Sequence, residues 1–243
     1  MDNPDERVRA AVRYFWQTRK KQALAQGNKT GIKDYGSRGA VTGGKQIDGF
    51  VQVVAELLKE SELSPDSIHI DKKHVVLPGW FRPTKEWDLV ALVDGTVLAV
   101  IEFKSQVGSF GNNFNNRTEE ALGNSTDILT AYREGAFQGS PRPWIGYLML
   151  LEDSPGSRTP VSVQEPHYPA FPEFQNTSYA DRYRILCQKL VRERLYDATC
   201  LILSDAKRGL RGEYSEPSAE IGFRNFAASL TAHAMAFARA HRK

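Results

Sequence analysis

No stretch of this chain approaches the roughly 18 consecutive apolar residues needed to cross a bilayer. Its start, Met1 to Arg13, is charged and lacks the apolar core of a secretory leader, so the expectation is a protein that stays where it is made. Cysteine is scarce, with only Cys187 and Cys200 among 243 residues. Two cysteines cannot build a disulfide framework and neither stands in a CxxC pair, which fits a reducing compartment and argues against a structural zinc. The histidines His69, His74, His167, His233 and His241 form no HxH or HExxH pattern, and no GxSxG elbow offers a serine nucleophile. Internal repeats and low-complexity tracts are absent as well.

What remains is a chain with 41% hydrophobic residues, long enough to bury one sizeable core. A net charge of +3 conceals an uneven spread. Residues 1–45 carry ten Lys/Arg against four Asp/Glu, residues 46–204 carry fifteen against twenty-one, and residues 205–243 carry seven against four. Two basic flanks thus bracket an acidic middle, as expected where polyanion contacts and a cation-binding centre occupy different parts of one surface. Ordinary solvated charged faces are the competing reading.

Hydrophobic periodicity alternates between helix and strand. Residues 7–26 predict a first helix through Val8, Ala11, Val12, Phe15 and Trp16, with Arg9, Arg13, Arg19, Lys20 and Lys21 around it. Gly27 to Gly44 reads as a loop. Residues 46–59 predict a second helix, with Asp48 and Glu56 close in azimuth. Strands follow at 68–77, with breaks, and at 87–93 and 97–103, the last two joined at Asp94-Gly95, a type I′ hairpin signal. Residues 116–133 predict a helix with Asn116 as its N-cap and Glu119 and Glu120 in its first turn. A strand at 143–151, a helix at 179–194, a strand at 198–204 and a helix at 221–239 complete the order. This predicts an α/β fold, a mixed central sheet flanked by helices on both faces. Residues 152–178 hold five prolines and no clear period, the pattern of a functional or mobile insertion.

The chemistry gathers at the predicted hairpin. Asp88 stands near the start of one strand and Glu102 near the end of its antiparallel partner, so both carboxylates reach the same end of the sheet. Lys104, two residues beyond Glu102, shares its face. Two acids and a lysine in so apolar a hairpin make a site for a hard cation such as Mg²⁺, with the lysine left to orient a water or a phosphate. Glu-x-Lys alone carries little weight, because residue types at ~6% each meet at that spacing about once by chance in such a chain. The hairpin-opposed aspartate is what raises it above a surface ion pair between Asp88 and Lys104.

Other stretches are weighed beside it. Asp205-Ala206-Lys207 repeats the acid-x-lysine spacing but has no second carboxylate alongside, so Lys207, Arg208 and Arg211 read as phosphate contacts or as a solvated basic loop. The run Gly39 to Gln46 resembles a phosphate-binding loop as far as Lys45 but has Gln46 where Ser or Thr would hold Mg²⁺. Its Lys45 and Gln46, with Arg38, suit a DNA phosphate at a helix start instead. Gln106, Asn112, Asn113, Asn115, Asn116 and Arg117, directly after the Glu102 strand, supply donors and acceptors fitted to base edges. The plain reading there is an Asx-rich loop capping the next helix.

Asp88 followed by Glu102-Phe103-Lys104 resembles the PD-(D/E)XK nuclease superfamily, with Trp87 where a proline is usual. The longer blocks Val41 to Phe50, Lys85 to Asp88, Ile101 to Gln106 and Gly108 to Glu120 resemble the XhoI-type restriction endonucleases, over most of the chain. That resemblance implies the αβββαβ core of the superfamily. The domain reading is then one nuclease domain over residues 1–243, with a basic N-terminal helix and arm to about residue 45 and the Pro-rich insertion. It implies a bacterial cytoplasmic type II enzyme that acts as a homodimer on double-stranded DNA at CTCGAG and leaves four-base 5′ overhangs. A cognate methyltransferase would share that site without needing to bind. Asp88, Glu102 and the backbone carbonyl of Phe103 would hold Mg²⁺, and Lys104 would position or help deprotonate the attacking water. Glu56 is a weaker candidate for an outer ligand or a ligand of a second metal, against an ordinary exposed helix glutamate. A non-catalytic sequence-specific DNA-binding protein and a repair or recombination nuclease on the same fold are the competing functions.

Overall fold

The structure is a computed structural model that describes residues 4–30 and 45–240, with the side chains of 26–30 excepted. Five helices of more than two turns are described: α1 (Pro4–Thr30), α2 (Asp48–Glu60), α3 (Phe110–Arg133), α4 (Tyr179–Arg192) and α5 (Phe223–Ala240). The strands are β1 (Ile68–His69), β2 (Val76–Pro78), β3 (Thr84–Glu86), β4 (Leu89–Val93), β5 (Thr96–Gln106), β6 (Trp144–Glu152) and β7 (Ala198–Ser204). The main sheet has the order β1-β4-β5-β6-β7, and β2 and β3 form a separate ribbon. β1, β4 and β5 pair antiparallel, whereas β5, β6 and β7 run parallel. The mixed sheet predicted from periodicity is therefore present.

Strand alternation divides the core into two layers. Ala99, Ile101 and Phe103 of β5 pack with Phe15 of α1, Phe50 and Leu58 of α2, and Phe226 and Leu230 of α5. Val100 of β5, with Tyr147 and Met149 of β6, packs instead with Ile128 of α3 and Tyr183 and Leu190 of α4. β6 and β7 are buried on both faces and read as continuous apolar runs for that reason. Asp94 (φ 49°) and Gly95 (φ 79°) both adopt the left-handed conformation that the tight β4–β5 turn requires.

Several boundaries differ from the periodicity reading. The run 68–77 is broken by a turn, which leaves β1 in the main sheet and β2 in the ribbon with β3, a strand the sequence did not announce. Helix α1 extends to Thr30, so residues 27–30 of the expected loop are helical, while residues 31–44 lie outside the described residues. Helix α3 begins at Phe110, six residues ahead of Asn116. Asn116 is therefore not its N-cap, and Glu119 and Glu120 are not in its first turn. The capping position is Ser109, at φ 47° after Gly108 at φ 66°. Packing explains the difference: Phe110 stacks on Tyr179 with centroids 6.1 Å apart, and Phe114 meets Tyr183 edge-on at 5.1 Å. Those aromatic contacts with α4 outweigh the weak helix propensity of the asparagines.

The Pro-rich stretch is pinned along α4. Val161 N–H donates to the Thr177 carbonyl at 2.9 Å, the Arg182 guanidinium donates to the Val161 carbonyl at 3.1 Å, and Lys189 meets Glu173 at 2.7 Å. It exposes Tyr168 and Phe171.

Candidate active site

The β4–β5 register sets the geometry. Leu89 pairs with Ile101, so the residue before β4, Asp88, stands across from Glu102. The Phe103 N–H donates to Asp88 Oδ2 at 2.7 Å, which fixes the aspartate against the partner strand. Glu102 is buried, and both of its oxygens are engaged: Lys85 Nζ lies 2.8 Å from Oε2, and Lys104 pairs with Oε1. Asp88, Glu102 and Lys104 thus come together as the spacing predicted. Lys85 is a partner that motif reading missed, although it directly precedes Glu86-Trp87-Asp88. Its side chain is 11% exposed, and its ammonium sits 4.5 Å from the centre of the Trp87 ring and donates to the Glu86 carbonyl at 2.8 Å.

The electrostatics show what this end of the sheet is missing. Burial, and then the neighbouring charge of Glu102, push the Asp88 carboxyl up to about 6. Burial also opposes charge on Glu102, but Lys104 and Lys85 outweigh it and hold that carboxyl below its ordinary value. At Lys104 burial again disfavours charge, and Glu102 more than offsets it, so the ammonium titrates above its usual range. A cation at Asp88 would relieve the one charge left poorly compensated.

A cleft of about 280 Å³ opens beside Asp88 and Lys104 at the C-terminal end of β5. Gln46 lies on its wall, 6% exposed, with Oε1 buried and without a hydrogen-bond partner. Arg117 lines it too and has an unpartnered buried Nε, while its terminal nitrogen meets Glu120 at 2.6 Å. Arg19 enters from α1. Burial lowers its pKa, offset in part by Glu152, and among the described residues it makes no ion pair. Sequence reading noted Arg19 only as a charge on the first helix; it stands about two turns beyond Val12 and continues the register of that buried stripe, and an arginine in an apolar register is the signal that could have found it. Orphaned polar atoms on a cleft wall, with two arginines beside a carboxylate pair, suit a phosphate-bearing ligand and a divalent ion near it.

The remaining predicted contacts divide. Gln106 lines the cleft but donates to the Gly108 carbonyl. Asn113 lines it as well, and its amide donates to the Ser109 carbonyl at 2.8 Å. Because α3 starts early, Asn113 and Arg117 fall one turn apart on the cleft wall, while Asn112, Asn115 and Asn116 stand exposed. Lys45 is exposed directly before α2, and Arg38 lies outside the described residues. Arg208 and Arg211 are held by Glu213 at 3.3 and 2.6 Å, and Lys207 is exposed. Glu56 is a correction: it pairs with Lys59 at 2.8 Å and lines a separate groove between α1 and α2, along with Asp48, where none of the three catalytic candidates appears. Two turns of α2 separate Gln46 at the cleft from Glu56, which carries the glutamate away from the sheet end.

A mixed sheet with an aspartate and a Glu-x-Lys pair at one strand end, helices on both faces and a polar cleft alongside defines a restriction-endonuclease-like protein. The comparisons with known proteins narrow this class. The model of the family Restriction endonuclease XhoI matches residues 26–216. The Type II restriction enzyme BstVI of Geobacillus stearothermophilus is 50% identical over 207 residues, 83% of this chain and 92% of that one. The Type II restriction enzyme AbrI of Azospirillum brasilense is 46% identical over 165 residues, covering 68% and 73%. The Type II restriction enzyme XhoI of Xanthomonas vasicola is 39% identical over 189 residues, covering 77% and 75%. No solved structure matches the chain. The chain belongs to the XhoI family of restriction endonucleases and is a type II site-specific deoxyribonuclease acting on double-stranded DNA. Enzymes of this kind use a divalent metal ion. No described helix is long and apolar enough to cross a membrane.

Proposed function

We propose that this endonuclease cuts both strands of CTCGAG as a Mg²⁺-dependent homodimer, leaving four-base 5′ overhangs, with Asp88, Glu102 and Lys104 as its catalytic residues. The observation that carries the assignment is the meeting of Asp88 and Glu102 across the β4–β5 pair, fixed by the Phe103 N–H and bordered by Lys104 at the cleft. Asp88 fits the metal as it stands, whereas Glu102 would reach it only by releasing an oxygen from Lys85 or Lys104. Asp88 has one oxygen without a hydrogen bond among the described residues and a carboxyl raised toward neutrality by burial and by the charge of Glu102. Asp88, Glu102 and the Phe103 carbonyl would hold the ion, which supplies Lewis-acid charge against the scissile phosphodiester.

The chain's own groups do the rest. Lys104, locked as an ammonium by Glu102, orients the attacking water or a phosphate oxygen and adds positive charge near the phosphate. That charge state favours orientation over proton abstraction. Lys85 keeps Glu102 ionised and fixed from its far side. Arg19 and Arg117 bind phosphate oxygens, and Gln46 and Asn113 face the DNA within the same cleft. The basic residues Lys45 and Lys207 add backbone contacts at the periphery. One cleft per chain cuts one strand, so a twofold pair of chains matches a palindromic site. A methyltransferase of the same specificity protects that site by modifying bases and needs no contact with this chain.

Digestion of a fully sequenced phage DNA tests this. The wild-type chain with Mg²⁺ gives the fragment set of CTCGAG, and Asp88→Ala or omission of Mg²⁺ leaves intact but retarded DNA. A different fragment set overturns the site while keeping the catalytic assignment; cleavage by Asp88→Ala at the parental rate overturns that assignment.

A further inference from the structure

The turn after β1 gathers two imidazoles and a carboxylate within six residues of chain, apart from the cleft and its lining. His69 ends β1 half-buried, and Asp71 and His74 are exposed. The His74 N–H donates to the Asp71 carbonyl at 3.0 Å, and the Lys73 N–H donates to Asp71 Oδ1 at 3.2 Å, which closes the turn. Both Asp71 oxygens then lie 2.8 Å from His74 Nδ1, and the two imidazole rings are 5.6 Å apart at an interplanar angle of 34°. One ligand atom from each of the three side chains lies within 4.8 Å of the other two.

We infer that His69, Asp71 and His74 form a surface site for a late first-row divalent transition metal, with Zn²⁺, Ni²⁺ and Cu²⁺ as its natural occupants. Two imidazole nitrogens and one carboxylate oxygen suit these borderline ions, whereas Mg²⁺ asks for an octahedron of oxygens. Tetrahedral bonds of about 2.0–2.1 Å place ligand atoms roughly 3.3 Å apart. Reaching that separation takes small torsions of exposed side chains on a turn whose backbone is already closed. Three protein ligands leave a position for water, so the ion exchanges freely. Lys72 and Lys73 sit in the same turn and oppose a cation. Lys72 is drawn toward Glu86 at 3.7 Å, and both ammoniums are solvated, so their repulsion lowers the affinity without blocking the coordination bonds.

The site has a structural route to the strand that bears Asp88. The Val75 carbonyl, one residue beyond His74, accepts the Trp87 N–H at 2.9 Å. An ion closing the turn ties down the segment that anchors Trp87, next to Asp88. The competing description is a metal-free Asx turn with a His–Asp ion pair, which predicts no specific ion uptake.

Calorimetric titration of the full chain, free of any histidine tag and in the Asp88→Asn background to silence the cleft, separates the two. One equivalent of Zn²⁺ is expected to bind with micromolar affinity, Mg²⁺ alone to give no heat, and Co²⁺ to give visible d–d absorption. His69→Ala and His74→Ala should each weaken Zn²⁺ binding tenfold or more and remove the Zn²⁺-induced rise in Tm. Binding that survives the His69→Ala/His74→Ala pair unchanged, or the absence of the Zn²⁺ equivalent, overturns the site. In the chain with Asp88 intact, His74→Ala should cut DNA with Mg²⁺ at the parental rate, which keeps this test separate from that of the cleft.

Discussion

Two of the acid-x-lysine pairs in this chain, Glu102 with Lys104 and Asp205 with Lys207, share their spacing and nothing else. Glu102 and Lys104 lie inside β5, where period-two alternation puts both on the α3/α4 face, and the glutamate is buried between Lys104 and Lys85. Asp205 and Lys207 lie just after β7, in a single turn of helix at 206–209. There the carboxylate caps the turn, Oδ1 accepting the Lys207 and Arg208 N–H groups at 2.9 Å each, and the lysine side chain faces solvent. Backbone conformation, not spacing, decides whether the acid meets the ammonium side chain or the amide of its neighbour. The second carboxylate that makes β5 a site comes from Asp88 at the head of the antiparallel partner β4; β7 sits beside parallel β6, and its antiparallel bridge from Leu203 to Ser215 is a single residue pair and not a strand.

The largest expected effect breaks that equivalence directly. Lys104→Ala or Glu102→Ala should lower the single-turnover cleavage rate by about a thousandfold or more, on the scale of losing a preorganised charge at a reacting phosphate. The matched changes Lys207→Ala and Asp205→Ala should leave that rate within about threefold when substrate is saturating. Asp205→Ala should cost about 1 kcal/mol in urea unfolding as the cap is lost. A thousandfold loss of rate in Lys207→Ala would show that the two pairs had been ranked wrongly.

The same contrast explains what was legible in the sequence. The β5 pair was readable because alternation in a strand puts Glu102 and Lys104 on one face, and Asp94-Gly95 announced the hairpin. The register of Asp88 on Glu102 was not, because the turn alone would set Asp88 across from Ile101 and an irregularity between Ala91 and Leu92 shifts the pairing by one residue. Lys85 was not, since it lies in β3, a ribbon strand of three residues with no apolar period. Arg19 reaches the cleft only because α1 packs on α2 and on the helical turn after β7, a tertiary fact. The asparagines after β5 looked like loop by composition, and Phe110 and Phe114, which hold them in helix against Tyr179 and Tyr183, were present in the same stretch but unreadable without α4. Glu56 failed for the opposite reason: its azimuth near Asp48 was right, but the face they share looks onto α1.

A smaller effect sharpens the difference in electrostatic state. The folded metal-free chain holds the Asp88 proton to about 6 against an ordinary value of 3.8. The native state then binds more protons than the unfolded chain between those values, so stability falls as pH rises through that window and stays lower above it. Asp88→Asn removes this penalty. At pH 8 in EDTA it should stabilise the fold by about 1–2 kcal/mol, and by progressively less as pH falls toward 4, with cleavage abolished. Parallel urea curves for the two proteins across pH 4–8 provide the check; a variant no more stable at pH 8 than the parent would remove the claim that the cleft is built at a cost to the fold.

The smallest effect concerns the outer pair alone. Lys207 has no ion pair among the described residues, whereas Arg211 is engaged by Glu213 at 2.6 Å, with burial too slight to strengthen the contact. A cation already neutralised releases fewer counterions on meeting a phosphate. Lys207→Ala should therefore reduce the slope of log K against log salt by about 0.9, the amount for one phosphate contact, and Arg211→Ala by less. Measured with the Asp88→Asn chain on uncleaved DNA, the order of the two slopes is the test. Equal reductions would mean that Glu213 gives up Arg211 on binding, and that this turn, unlike β5, rearranges to meet the duplex.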